Sequence, residues 1–438
     1  MCRTRAGNPD PGLGGETIVI VVSLLLLLLA VLGAPLFAVI ATSAMVGFHR
    51  EETDLMTMAL DLLSIADLQF LSAIPLFTFA GYVLSESNAP KRLVRVTNAL
   101  LGWMPGGLAI VCLAACAFFT AFTGASGVTI IALGAILYPA LKEGGYSDKF
   151  NLGLVTSSGS LGLLFAPSLP LILYGVIAEQ PIDEMFLAGI IPGLLMLVML
   201  SGWSLWVNRS NRQPLASFSV AEVRLALREA VWELPLPIVV LGGIYSGFFA
   251  VSEAAAVTAL YVLIVEVGIL REIRLGQLPD IMRESMILVG AILLILGVSL
   301  ASTKYMISSD VPQLLFEYVS GFVSSQTTFL VLLLVFLLIL GAILDIFSAI
   351  VLVVPLILPV AAQYGVDPIH LGIVFLAAMQ LGYLTPPVGL NLFIASYRFE
   401  KTIMHVYAAT LPFLLILLMS VVVITFWPGL SLWLLRTG

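Results

Sequence analysis

Charge is what this sequence has least of. Only 10% of its 438 residues are Asp, Glu, Lys or Arg, against about 25% in a soluble domain. Hydrophobic residues make up 60%, and the mean hydropathy is +1.11. A soluble globular chain is excluded. With no basic stripe, so is a nucleic-acid binder. Cysteine is nearly absent: there are three, and Cys112 and Cys116 lie four apart in an apolar helix, where they read as small packing residues rather than a metal or redox pair. Three histidines, His49, His370 and His405, are too scattered to form a ligand cluster. No Walker loop, dinucleotide fingerprint or HExxH is present, so the chain does not hydrolyse ATP. An intramembrane enzyme would need a catalytic pair of carboxylates or a Ser/His set, and the apolar runs supply neither. The net charge of −7 says little for a surface that faces lipid.

What the chain has is long apolar runs. A spanning helix needs roughly 20 mostly apolar residues, and such runs fill the sequence, so an all-α polytopic membrane protein is predicted. The first sixteen residues are polar and rich in Gly and Pro. The run after them lacks a clear small-residue cleavage site and continues into a second apolar run, so it is read as mature protein. Apolar segments are expected at about 17–32, 33–48, 67–87, 185–207, 233–252, 253–270, 284–303 and 406–427. Ala89 to Val96 and Pro312 to Tyr318 read as amphipathic interfacial pieces. Glu253 and Glu266, which flank one span, read as interfacial too.

Two apolar segments are broken in the middle. One, 150–178, contains Ser157-Ser158-Gly159-Ser160 and Phe165-Ala166-Pro167-Ser168-Leu169-Pro170. The other, 371–396, contains Gly382-Tyr383-Leu384-Thr385-Pro386-Pro387-Val388-Gly389-Leu390-Asn391. Proline removes a backbone donor and clashes with the preceding turn. In lipid, freed carbonyls persist only where protein or a wet cavity covers them, and half-helix ends at mid-membrane are a means of holding ions and anions. Two further segments, 104–141 and 328–363, each join two apolar pieces with no polar loop between them. The joints are Gly124-Ala125-Ser126-Gly127 and Leu344-Asp345-Ile346-Phe347-Ser348. Both predict re-entrant helical hairpins with buried tips.

These features recur in the same order. One offset separates Pro139 from Pro359, Gly145 from Gly365 and Pro167 from Pro387, and nearly the same offset separates Pro90 from Pro312. The pattern predicts a duplicated fold: a first repeat over 1–207, a linker over 208–230 and a second repeat over 231–438. Placing the linker in the cytoplasm puts all but Arg3, Arg5, Arg50, Lys304 and Arg436 of the 19 basic residues inside, as the positive-inside rule favours. The halves are then inverted, with about eleven spans, both termini outside, the first hairpin entering from the cytoplasm and the second from outside.

Taken together, Pro75-Leu76-Phe77 to Gly81, Gly102 to Ala109, Gly124 to Pro139, Gly145-Tyr146-Ser147, Ser157 to Tyr174, Gly341 to Pro359 and Leu384 to Asn391 resemble the large membrane subunit of tripartite ATP-independent periplasmic (TRAP) transporters. The resemblance runs from about residue 17 to 427. It departs from many relatives at Gly124-Ala125-Ser126-Gly127 and at Phe165-Ala166-Pro167-Ser168. It implies an elevator-type secondary transporter of the bacterial inner membrane, driven by sodium. The implied cargo is a small organic anion, usually a carboxylate, delivered by a periplasmic binding protein. A small four-span membrane subunit, expected here as a separate chain, completes the complex. A self-sufficient sodium- or proton-coupled symporter of similar hairpin architecture is the alternative.

A hard cation such as sodium takes several oxygen ligands. The candidate first ion site pairs Gly124, Ser126 and Gly127 with Ser157, Ser158, Gly159 and Ser160. The second pairs the tip containing Asp345 with Thr385, Pro386 and Gly389. The serines also suit small-residue helix packing. Asp345, a carboxylate that costs about 2.5–3.5 kcal/mol to insert at a membrane centre, could bind sodium, take a proton, or cap the helix starting near Phe347. Ser168, Pro170, Ser348 and Asn391 are candidate substrate contacts, because half-helix N-termini opened at Pro170 and Leu390 would present free N–H groups. No basic residue lies in either broken segment, so anion binding would rest on backbone dipoles and sodium. No cofactor and no other metal is expected.

Overall fold

The computed structural model describes residues 21–437 except 23, 27, 30, 31, 33, 51–53, 55, 65–70, 105 and 210–217. The expectations for residues 1–16, for part of the 17–32 run and for the centre of the linker, Arg212 included, lie outside the described residues. Every described element is a helix. Among the described residues, six helices are long and apolar enough to cross a membrane, and eight if each of two bent pairs counts as one span. The chain is a multi-pass membrane protein.

The chain divides into two compact units. One comprises 1–67 and 293–311. It contains Leu36–Arg50 and Met56–Ser64, with Phe48 set edge-on to Tyr305 at 5.7 Å between centroids. A Cβ on Gly47 would lie 2.4 Å from the Tyr305 ring, which would have to shift to admit it.

The other unit, 68–292 and 312–438, carries the predicted hairpins and breaks. The first hairpin region is Gly107–Thr123 followed by Ser126–Ala132 and Gly134–Glu143, the last two bent by 49°. Its helix stops at Gly124, whose φ of +63° suits glycine. The first broken segment runs Asp148–Ser158, a tight turn Leu161–Leu164, a second turn closed by the Ser168 N–H on the Phe165 carbonyl at 3.0 Å, then Leu169–Ile177, with a cis Ala166–Pro167 bond. Its two parts bend by 43°. The span Ile182–Val207 follows.

In the second half, Gln326–Ile343 and Ile346–Gln363 meet at Leu344-Asp345. Pro368–Gly382 and Leu390–Arg398 are parted by the Tyr383 to Gly389 loop, with a cis Pro386–Pro387 bond. Ile403–Phe426 is the last long helix. The amphipathic pieces are Ala89–Leu101 and Val311–Ser320.

The expected 233–252 span is shorter than the sequence suggested. Its helix, Pro235–Tyr245, ends where Gly247 takes φ +71° and Phe248 and Phe249 bond back to the Gly243 carbonyl. The next helix, Val251–Leu263, continues as one wide π turn, Ile264–Ile269. Glu253 caps it by accepting the Ala250 N–H at 2.9 Å. Glu266, expected beside it at the interface, is fully buried within the protein, where the wide turn faces the arm helix Ala89–Leu101 and meets Arg92.

Candidate functional site

Both hairpin tips open onto one cavity of about 360 Å³, lined by Gly124 to Val128, Asp345 to Phe347, Tyr383, Leu390 and Ile394, and by Tyr82, Leu163 and Leu288. Its polar groups come from Tyr82, Ser126, Asp345 and Tyr383. Among the described residues, no basic side chain lines it.

At the first tip, Ser126 is buried and donates its hydroxyl to Asn391 Oδ1 at 2.7 Å. The tip therefore holds the first turn of the helix that follows the second break. Gly127 packs on the same helix, since a Cβ there would lie 2.7 Å from Ile394. Gly124 packs on the first broken segment, with Leu169 2.6 Å from a would-be Cβ. A Cβ on Gly159 would stand 2.5 Å from Ile130 and 3.2 Å from the Ser126 carbonyl. Beneath the tip, the Thr120 hydroxyl lies 2.7 Å from Thr129 Oγ1, 2.9 Å from the Gly159 carbonyl and 2.7 Å from the Cys116 carbonyl.

At the second tip, Asp345 caps the helix it precedes. Its carboxylate accepts the N–H groups of Phe347 and Ser348, each at 3.0 Å, and the Ser348 hydroxyl. The next free donor, Ile346 N–H, goes to the Tyr383 hydroxyl at 2.7 Å, which ties the tip to the second break. The Ala342 carbonyl accepts from Val388 and Gly389, both at 3.3 Å. Gly389 has φ +53°, and a Cβ on it would come within 2.8 Å of the Thr385 carbonyl and 3.1 Å of the Tyr383 carbonyl. Thr385 donates its hydroxyl to the Gly382 carbonyl at 2.8 Å. Asp345 is thus a cap, and it is also exposed to the cavity rather than buried in the apolar packing its sequence neighbours suggested.

The other candidates are placed as follows. Ser157 is fully buried with a hydroxyl that has no partner. Ser158 donates to the Val155 carbonyl of its own helix at 3.1 Å. Ser160 is buried and its carbonyl accepts the Leu163 N–H. Pro386 is exposed. Ser168 donates to the Leu163 carbonyl at 2.6 Å, and neither it nor Pro170 nor Ser348 lines the cavity. Asn391 is buried beside the cavity with its Nδ2 donor unused. The structure therefore puts Gly124, Ser126, Gly127 and Asp345 on the cavity wall, sets Gly159, Gly389 and Asn391 against the tips behind it, and leaves Ser168, Pro170 and Ser348 off the wall.

Sequence reasoning missed Tyr82, Thr120, Thr129 and Tyr383. The signal for Thr120 and Thr129 was their position on either side of the glycine break, where hydroxyls can meet carbonyls freed from the helix. It also missed an ion-pair cluster at Arg92. The Arg92 guanidinium contacts Glu233 at 2.5 Å, Glu266 at 3.4 Å, and Glu272. Burial pushes the Glu272 carboxyl up, but hydrogen bonds from Arg92 and from Asn88 outweigh it and hold Glu272 below its ordinary value. A glutamate inside an apolar run was the available signal, and Glu266 met that criterion as well as Asp345 did.

Residues 19–430 match the family described as "Tripartite ATP-independent periplasmic transporter, DctM component". The chain is 33% identical over 377 residues to the C4-dicarboxylate TRAP transporter large permease protein DctM of Pseudomonas aeruginosa, covering 86% of this chain and 88% of that protein. It is 31% identical over 417 residues to the ectoine/5-hydroxyectoine large permease UehC of Ruegeria pomeroyi, covering 94% and 97%. The isethionate permease DctMQ of Oleidesulfovibrio alaskensis is 30% identical, with 82% of this chain matched to 57% of that protein. Among solved structures, the YdaH transporter of Alcanivorax borkumensis shares the fold, with a TM-score of 0.57 at 15% identity over 85% of this chain and 87% of that one. The cavity described above thus lies in a chain that belongs to the DctM family, the large permease component of tripartite ATP-independent periplasmic transporters.

Proposed function

We propose that this permease carries a small organic anion, a carboxylate by class, into the cell across the bacterial inner membrane, driven by a sodium gradient. In this reading the two hairpins and two broken helices move as an elevator against the remaining spans, about eleven spans in all. The observation that supports it is the convergence of both hairpin tips on one cavity that holds a carboxylate and, among the described residues, no basic side chain. An anion entering beside Asp345 meets like charge in a low-dielectric setting, so a cation has to enter with it. Oxygen groups suited to a hard cation surround the tips: the Thr120 and Thr129 hydroxyls with the Gly159 carbonyl, and the Tyr383 and Thr385 carbonyls around Gly389. The unused Nδ2 of Asn391 is a donor for the substrate's anionic end.

The relatives' names, C4-dicarboxylate, ectoine and isethionate permeases, favour small solutes bearing an acidic group, most of them carboxylates. They also favour the tripartite arrangement, with a small four-span membrane subunit and a periplasmic binding protein. The test is uptake of labelled succinate or ectoine into proteoliposomes holding this chain and the small subunit. Uptake is expected only with an inward sodium gradient and with the cognate binding protein outside. Uptake of free solute by the membrane chains alone would leave the self-sufficient symporter. Uptake after collapse of the sodium gradient would remove sodium as the driving ion.

A further inference from the structure

Away from the cavity, the Arg92 cluster is the strongest concentration of buried charge among the described residues. The arm helix Ala89–Leu101 carries Arg92 into a pocket where one guanidinium faces three carboxylates. Glu233 Oε1 lies 2.5 Å from Nη2 and 2.6 Å from Nε. Glu266 Oε1 lies 3.4 Å from Nη2, and Glu272 Oε1 touches Nη1. The second oxygen of each glutamate differs in its fate. Glu272 Oε2 accepts the Asn88 N–H at 2.7 Å. Among the described residues, Glu233 Oε2 and Glu266 Oε2 are buried without a close hydrogen-bond donor, on side chains only 3% and 0% exposed.

The surroundings offer no relief. Leu84, Ala89, Phe122 and Leu236 belong to the apolar cluster packed here. The cavity against Glu233 holds about 10 Å³ and is otherwise apolar, the lower limit for one water and without polar partners to fix it. Two ionised carboxylates with unpartnered oxygens in such a place are costly, and loss of one charge is the ordinary outcome. We propose that the Glu233–Glu266 pair is a proton-binding site that keeps one proton at neutral pH.

The other charged and titratable groups facing the pair are few. Arg92 and Glu272 are bonded to each other. Tyr261, from the helix Val251–Leu263, already donates its hydroxyl to the Trp232 carbonyl at 2.8 Å. The 87–88 turn brings Ser87, whose hydroxyl faces the Glu266 carboxylate, and Asn88, which is taken by Glu272. The π turn fixes the Glu266 backbone, since its carbonyl accepts from both Glu272 at 2.9 Å and Ile273 at 3.3 Å, so the backbone does not carry the side chain outward. The site lies at a joint: Arg92 belongs to the helix that leads into the first hairpin, and the three glutamates belong to segments of the second half. The proton therefore sets how firmly that joint holds. A proton kept by the folded state beyond what the unfolded chain keeps means that stability falls as pH rises through the range in which the pair ionises.

The test uses the purified full-length chain in detergent, with infrared spectra reading the C=O stretch of a protonated carboxyl between about pH 6 and about pH 9. The unmodified chain is expected to show a buried-acid band at neutral pH that fades toward alkaline pH, together with a melting temperature that falls over the same range. In Glu266→Gln or Glu233→Gln, one of the two at least, the band is lost and the melting curve becomes flat with pH. Absence of the band from the unmodified chain at neutral pH overturns the proposal even if neither variant folds. A band and a pH slope that survive in both variants overturn it equally.

Discussion

Asp345 satisfies three hydrogen-bond donors at the second tip and still faces the cavity. The two roles are separable by chemistry. Asp345→Asn keeps a side-chain oxygen to accept from the Phe347 and Ser348 N–H groups, whereas loss of an N-cap altogether costs about 0.5–2 kcal/mol. What the substitution removes is the negative charge. If the carboxylate balances a transported cation, Asp345→Asn inserts and assembles normally, with thermal stability near wild type, while sodium-driven uptake falls by about tenfold or more. Normal uptake with an unchanged sodium curve would leave Asp345 as a cap alone. A second residue-scale outcome concerns Arg92. Its removal leaves two buried carboxylates, Glu233 and Glu266, and the partly exposed Glu272 without a cation, and breaking a buried pair in this way costs about 3–5 kcal/mol. Arg92→Ala is therefore expected to lower the melting temperature strongly at neutral pH. Glu272, whose pKa is held down, contributes stability that is present above its unfolded pKa and lost as pH falls through its folded one, so the Arg92→Ala deficit should shrink on acidification. A deficit that is constant with pH would show that packing of the arginine stem, and not charge pairing, was lost.

At the scale of elements, the breaks were legible because glycine and proline have few uses inside an apolar helix. Gly124, Pro167, Pro387 and Gly389 marked the interruptions, and the structure has a helix end, a turn or a loop at each. Asp345 marked its own helix start. What could not be read was which oxygens meet. The Ser126–Asn391 bond joins residues 265 apart, and no local pattern announces it. The pairing of Arg92 with Glu233 and Glu266 is likewise tertiary, since helix propensity says nothing of which face meets which. Ser168 and Pro170 were expected against the substrate because they open a half-helix. The Ser168 hydroxyl instead turns back to the Leu163 carbonyl, the nearest acceptor freed by the break. The crossing of Gln326–Ile343 with Pro368–Gly382 gives the sharpest test of an element contact. A Cβ on Gly382 would lie 2.5 Å from the Gly341 Cα and carbonyl carbon, backbone atoms that cannot rotate away. Gly382→Ala is expected to cost about 1–3 kcal/mol by overpacking, read as a lower melting temperature. Gly242→Ala, inside a helix and with no described atom within 4 Å of the added Cβ, should not lower it. Equal effects of the two would mean that close helix approach does not hold this crossing.

At the scale of the whole molecule, the remaining question is which side of the membrane each end of a hairpin faces. Charge answers it in principle. Lys and Arg are retained on the cytoplasmic side, and the described segment Val220–Glu229 carries Arg224 and Arg228 on an exposed surface. Arg95, from the arm helix, pairs with Glu222 and Glu229 of that segment at 2.9 and 2.5 Å, so the arm helix and this segment share a side. Such exposed pairs add little stability, but they fix the shared location. If that side is cytoplasmic, the polar turn after the first hairpin, with Lys142 and Lys149, lies there too, and the turn after the second hairpin, at Gln363 to Pro368, lies outside. Single cysteines at 224 and at 363, placed in a background without Cys2, Cys112 and Cys116, test the inversion directly with a membrane-impermeant maleimide. Position 363 is expected to label from outside intact cells, and position 224 only after the membrane is opened. Both labelling from the same side would mean that the two halves are not inverted, whatever their shared order of breaks. Labelling of 224 alone from outside would keep the inversion but reverse the whole molecule, and the charge asymmetry would then have to be explained by the partner subunit's share of the cytoplasmic surface.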